Sequence, residues 1–194
     1  GKNLYGFDPS RIPTKEAWQA GKAAINELLQ NHKLQQGKWP EKLAFSLWAV
    51  EAMRHGGVLE SEALYAIGVE PVWDPAGRVI GYTVLTSEQL GRPRIDVVLS
   101  ATGLYRDQFP NMMMHFANAA AEVSQLAEKD NPVYRNTERL LADLLRQGLD
   151  EKDARYFAST RVFGSPTGVY GTGLDNAIQA SDTWEYDDKL AQLY

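Results

Sequence analysis

GRPRIDVVLSATGLYRDQFPN, residues Gly91 to Asn111, is the stretch on which the fold turns. Ile95 to Leu99 is a short, β-branched and almost uninterrupted apolar run, the composition of a strand buried on both faces. Directly behind it stand Ser100, Thr102, Gly103, Arg106 and Asp107, and Pro110 then opens a long helical pattern. In an open parallel sheet the crevice outside the carboxyl ends of the strands is where ligands bind, so this polar cluster is placed for binding. The same spacing also allows Arg106 and Asp107 to pair with each other or to cap the next helix.

Upstream, Leu43 to Trp48 reads as a second buried strand, and it too runs into a polar segment, AVEAMRHGG at 49–57. A helix over Leu59 to Ile67 follows. Glu51 and His55 are four residues apart, which on a helix puts them on one face, as two ligands to one cation or as a carboxylate orienting an imidazole. Two ligands alone do not define a metal site, and an ordinary salt bridge or a loop accounts for the same residues. Val69 to Trp73 and Val79 to Leu85 flank the turn Asp74-Pro75-Ala76-Gly77, a hairpin pattern. Nearer the start, residues 1–13 read as an irregular arm, and Thr14 caps a helix reaching about Gln35 on Trp18, Ala24 or Ile25, Leu28 and Leu29.

Downstream, a 3.6-residue period runs from Pro110 to Glu128 through Met112, Phe116, Ala119, Ala120 and Val123. Within it the Met112–Met114 run reads as core filling, the alternative being a flexible surface for a flat ligand. Further helices are predicted over Val133 to Leu145 and Asp150 to Ala158, and a short one over Asp187 to Leu193. Arg161 to Gly173 is a third candidate site, where Gly164, Gly168, Gly171 and Gly173 stand among hydroxyls and free the backbone to approach a carboxylate or phosphate. The Gly-Lys-Ser/Thr ending of a phosphate-binding P-loop is missing from it. The order of elements predicts an α/β fold with a doubly wound, mainly parallel sheet, a β-hairpin extension and additional C-terminal helices. It divides as an N-terminal arm and helix (1–41), an α/β core (42–130) and C-terminal helices with the Gly-rich loop packed on that core (131–194).

The 194 residues are 44% hydrophobic, which is ordinary for a globular chain long enough to bury a core. A net charge of −5 argues against nucleic acid as the main partner. The absence of cysteine excludes disulfides, thiolate metal sites and cysteine nucleophiles. No apolar run approaches the roughly 20 residues of a membrane span and no signal peptide is visible, so a cytoplasmic location is expected.

Taken together, GRPRIDVV, SATGLYRDQFPN, LWAVEAMRHGG at 47–57, GVEPVWDPAGRVIG at 68–81 and RVFGSPTGVYGTGLDNAI at 161–178, with Trp184-Glu185 beyond, resemble the large subunit of the cobaltochelatase and magnesium chelatase family. These segments keep the family's order and cover most of residues 42–194. Family large subunits are several times longer, so the resemblance implies a C-terminal piece of one. It implies a tetrapyrrole-binding part of an ATP-dependent metal chelatase, with ATP hydrolysed by AAA+ type partner subunits and not by this chain. RHGG, ATGLYRDQFPN and DNPV resemble the cobalt branch, which implies Co²⁺ as the substrate metal and a corrin precursor, as in cobalamin biosynthesis. The alternatives are Mg²⁺ insertion into protoporphyrin IX, or a non-catalytic docking domain of such a subunit. Metal insertion requires removal of pyrrole protons, stripping of water from the cation and a held macrocycle. Glu51, His55 and Asp107 are therefore expected to handle protons, with Glu51 and His55 also touching the metal. Arg54, Arg106, Gly164, Ser165 and Tyr170 are expected to hold the macrocycle.

Overall fold

A computed structural model describes residues 7–166 and Gly168. Its longest element is α1, Lys15–Gln36, started by the Thr14 hydroxyl, which accepts from the Ala17 amide at 3.1 Å, and ended at Gly37. Trp18, Ile25 and Leu29 turn inward, as their spacing requires, while Leu28 faces out. Gly21 lies on the same stripe because α1 there meets α3, Val58–Ile67. A Cβ at Gly21 would stand 2.6 Å from both the Ser61 Cβ and the Val58 carbonyl oxygen. α3 is buried almost all round, the mark of a central helix.

Three parallel strands form the main sheet in the order β1 (Lys42–Leu47), β4 (Asp96–Ala101), β5 (Val162–Gly164). Between β1 and β4 the chain makes α2 (Ala49–His55), α3, the hairpin of β2 (Val69–Trp73) and β3 (Val79–Val84), and α4 (Ser87–Leu90). The hairpin is a two-stranded antiparallel sheet of its own. After β4 come α5 (Gly103–Gln108), α6 (Pro110–Val123), α7 (Pro132–Arg146) and α8 (Glu151–Ser159). Helices α3, α6 and α7 pack on the parallel sheet, giving the expected α/β architecture.

Register is what positions the rest. Leu47 of β1 pairs with Ala101 of β4, and Ala101 with Gly164 of β5, so three carboxyl ends reach one edge together. At the other end of β4, Asp96 is fully buried and accepts from Arg161 Nε at 2.6 Å, Asn136 Nδ2 at 2.8 Å and the Val97 amide at 2.9 Å. The Arg161 guanidinium continues to the Ala158 and Thr160 carbonyls and the Thr137 hydroxyl, which ties α7 and α8 to the sheet. Arg94 does the same for the hairpin: it donates to the carbonyls of Ile67, Gly68 and Leu85 and pairs with Glu128 at 2.7 Å. Gly68 is required there, with φ +85° and a position where a Cβ would lie 2.3 Å from Arg94 Nη1.

Several expected boundaries move. The central strand runs two residues further, to Ala101, and the helix expected to reach Glu128 stops at Val123, where Asn131 Nδ2 takes the Val123 and Leu126 carbonyls. Residues 49–55 and 103–108 are short helices, and 162–164, read as loop, is a strand. The methionine run splits, with Met112 in the core and Met114 exposed. Tyr170, Gly171, Gly173 and the helix expected over 187–193 lie outside the described residues.

Candidate functional site at the carboxyl edge of the sheet

The edge is built by two short helices that leave neighbouring parallel strands. β1 ends at Leu47, and after Trp48 the chain enters α2, which carries Glu51, Arg54 and His55. β4 ends at Ala101, and Thr102 caps α5, its hydroxyl accepting from the Tyr105 amide while its own amide donates to the Leu47 carbonyl at 3.1 Å. α5 carries Arg106 and Asp107, and α2 and α5 touch each other. Two of the three polar clusters therefore emerge side by side.

The third is joined to them through Arg106. Its Nη1 donates to the carbonyls of Ser165 at 2.6 Å and Pro166 at 2.7 Å, and its Nε to Asp107 Oδ1 at 2.9 Å. Arg106 thus ties α5 to the segment that follows Gly164 at the end of β5. Asp107, which is solvent-exposed, also borders a cleft of about 270 Å³ between residues 8–10 and 107–111, where the N-terminal arm crosses the edge with Phe7 packed edge-on to Phe109.

Glu51 and His55 each have a partner of their own. The Glu51 carboxylate is paired with Arg54, one turn on. His55 Nδ1 accepts from the amides of Gly57 and Val58 at 3.2 and 3.0 Å, which satisfies the start of α3 and places the ring hydrogen of neutral imidazole on Nε2. Among the described residues no three His, Asp or Glu side chains are grouped to hold a metal ion. The acidic, basic and backbone groups of this edge can take or give a proton, pair with a carboxylate and offer carbonyl oxygens to a passing cation.

Large apolar side chains stand exposed on the elements of the same edge: Trp48 (55%), Val50 (62%), Leu104 (43%) and Phe163 (52%). Each sits within three residues of a paired strand end, so a flat apolar ligand with charged substituents would find both kinds of contact there.

The sequence reading passed over a buried polar pair behind the edge. Glu60 of α3 is 1% exposed, and its Oε1 accepts from the Tyr105 hydroxyl of α5 at 2.8 Å. Burial pushes the Glu60 carboxyl pKa up, and burial together with Glu60 raises that of Tyr105 well above the usual phenol value. The signal was available: Glu60, Leu64 and Ile67 share one stripe, and a carboxylate on an apolar helix face needs a partner.

The family model for CobN/magnesium chelatase matches residues 1–194, the whole chain. The chain belongs to the CobN/magnesium chelatase family. The aerobic cobaltochelatase subunit CobN of Pseudomonas aeruginosa is 36% identical over 197 residues, covering 100% of this chain and 16% of that protein. The chloroplastic magnesium-chelatase subunit ChlH of Oryza sativa subsp. indica is 34% identical over 197 residues, covering 100% and 14%. Among solved structures, the catalytic subunit of cobaltochelatase from Mycobacterium tuberculosis matches with a TM-score of 0.87 and 40% identity, over 100% of this chain and 16% of that one. The chain thus spans about a sixth of the length of its CobN/magnesium chelatase relatives. No helix among the described residues is long and apolar enough to cross a membrane.

Proposed function

We propose that this chain supplies one wall of the tetrapyrrole site in the large subunit of an ATP-dependent metal chelatase. The observation that supports the reading is the shared end of β1, β4 and β5, whose strand ends and following helices carry Glu51, Arg54, Arg106 and Asp107 and the exposed Trp48, Val50, Leu104 and Phe163. The macrocycle lies on the apolar side chains. Arg54, with 73% of its side chain exposed, meets an acidic or amide group at the ring's rim.

Asp107 and Glu51 are the carboxylates that accept pyrrole protons and offer oxygen to the incoming cation as it loses water. Arg106 holds Asp107 and the Ser165-Pro166 carbonyls in one arrangement, so its contribution to macrocycle binding runs through them. His55 secures α2 to α3, and the Gly164-Ser165 backbone forms the rim next to α5. Tyr170 is proposed as a macrocycle contact on the family resemblance. The metal is substrate, Co²⁺ in the reading favoured by the cobalt-branch motifs, with a corrin precursor as acceptor. AAA+ type partner subunits hydrolyse ATP, and the setting is cytoplasmic.

The test uses the full-length large subunit with its ATPase partners. Asp107→Asn is expected to lower the insertion rate on the order of a hundredfold with macrocycle affinity kept. Arg54→Ala is expected to weaken affinity about tenfold. Offering Co²⁺ and Mg²⁺ in parallel decides the metal, and rates and affinities equal to wild type in both variants would refute the site.

A further inference from the structure

α2 and α5, the helices that carry the polar groups of the edge, make few contacts with each other, yet both are fastened to one place. His55, the last residue of α2, turns Nδ1 onto the first amides of α3. Two residues beyond Val58, Glu60 in the first turn of α3 receives the Tyr105 hydroxyl of α5. The Glu60–Tyr105 pair is buried, and the His55 bonds are partly so. Glu60 and Tyr105 are 1% and 0% exposed, and Glu60 Oε2 and His55 Nε2 are both buried with no hydrogen-bond partner among the described residues. A carboxylate in that setting is costly, and no lysine or arginine among the described residues pairs with Glu60. A leucine there would complete the stripe of Leu64 and Ile67 with no desolvation cost.

We propose that Glu60 is a positioning residue: through Tyr105 it fixes α5, and with it Arg106 and Asp107, against the same turn of α3 that His55 fixes to α2. Glu60 lies behind the edge and touches no substrate. Tyr105 immediately precedes Arg106 and Asp107, so a rotation of α5 that breaks its hydrogen bond also swings Arg106 away from the Ser165-Pro166 carbonyls and carries Asp107 with it. α3 is the right anchor because it is packed on all sides, against α1, the sheet and the hairpin, and has nowhere to move. The placement of Glu60 is independent of the tetrapyrrole reading, and only the consequence for ligand binding rests on it.

Hydrogen exchange on the full-length large subunit, read over residues 103–109, tests the anchor, and quenching of tryptophan fluorescence by deuteroporphyrin and by a metal-free corrin tests the consequence. Glu60→Leu and Tyr105→Phe are expected to speed exchange of that segment about tenfold and to weaken porphyrin binding by a similar factor, the effect of one lost buried hydrogen bond. Glu60→Gln keeps an oxygen for the Tyr105 hydroxyl and is expected to hold both within about twofold of wild type. The Glu60→Leu/Tyr105→Phe double variant should be no worse than either single one. Wild-type exchange in Tyr105→Phe, a Glu60→Gln variant as loose as Glu60→Leu, or unchanged porphyrin affinity in a loosened variant would overturn the inference. A wild-type subunit that binds neither deuteroporphyrin nor a metal-free corrin would instead overturn the proposed function and leave the exchange result standing.

Discussion

Glu128 and Glu60 start from the same ordinary value of 4.5 and end on opposite sides of it. Arg94 hydrogen-bonds the Glu128 carboxylate and lowers its pKa, so Glu128 contributes stability above 4.5 that is lost as pH falls through the lowered value. Burial raises the pKa of Glu60, which faces Tyr105, His55 and the neighbouring Glu62. Its contribution is complete below 4.5 and is lost as pH rises through the raised value. Urea midpoints measured against pH should therefore show Glu128→Gln flattening the acid limb and Glu60→Gln flattening the rise-side loss. A Glu60→Gln profile parallel to wild type above pH 4.5 would contradict the assignment. Gly68 makes a further prediction at this scale. With φ +85° and Arg94 Nη1 in the space of a Cβ, Gly68→Ala should cost about 2 kcal/mol or more in chemical denaturation, whereas Gly77→Ala, with a similar φ and open space, should cost only about 1 kcal/mol.

Among the elements, β5 shows most clearly what periodicity can and cannot reveal. Three residues are too few for an alternation pattern, and Gly164 and Ser165 read as loop, yet the strand is held because Arg161 just before it is clamped to Asp96. That clamp predicts a large effect. Arg161→Ala should cost about 3–5 kcal/mol by leaving Asp96 buried beside an empty guanidinium site, and an Asp96→Asn/Arg161→Met pair should recover part of it. α1, β1, the hairpin and α7 were legible because each is long enough for its period and is bounded by Thr14, Gly37, Gly68, Gly77 or Asn131 acting as caps and turns. α2 and α5 were not, since six or seven residues hold fewer than two turns and their polar side chains mask the stripe. The Arg106–Asp107 pairing was foreseen as one of two alternatives. Its extension to the 165–166 carbonyls was not, because a bond across 59 residues leaves no local trace.

For the molecule as a whole, stability and the proposed ligand contacts are drawn from different places. The core runs through α1, α3, β4 and α6, whereas Trp48, Val50, Leu104 and Phe163 lie outside it, each about half exposed. Substituting serine for Trp48 or Phe163 should leave the unfolding free energy within about 0.5 kcal/mol of wild type while lowering porphyrin affinity in the full-length subunit. A loss of fold without a loss of affinity would assign those side chains to packing instead. The strand that joins the two regions is β4, six residues spanning roughly 20 Å. One terminus is locked by Asp96 within a closed lattice of nitrogen donors, and the other opens onto solvent through Thr102 and α5. A family whose members include cobaltochelatase and magnesium-chelatase subunits can therefore vary the outlet of that strand freely, because the bolt that keeps the molecule shut is at its far end.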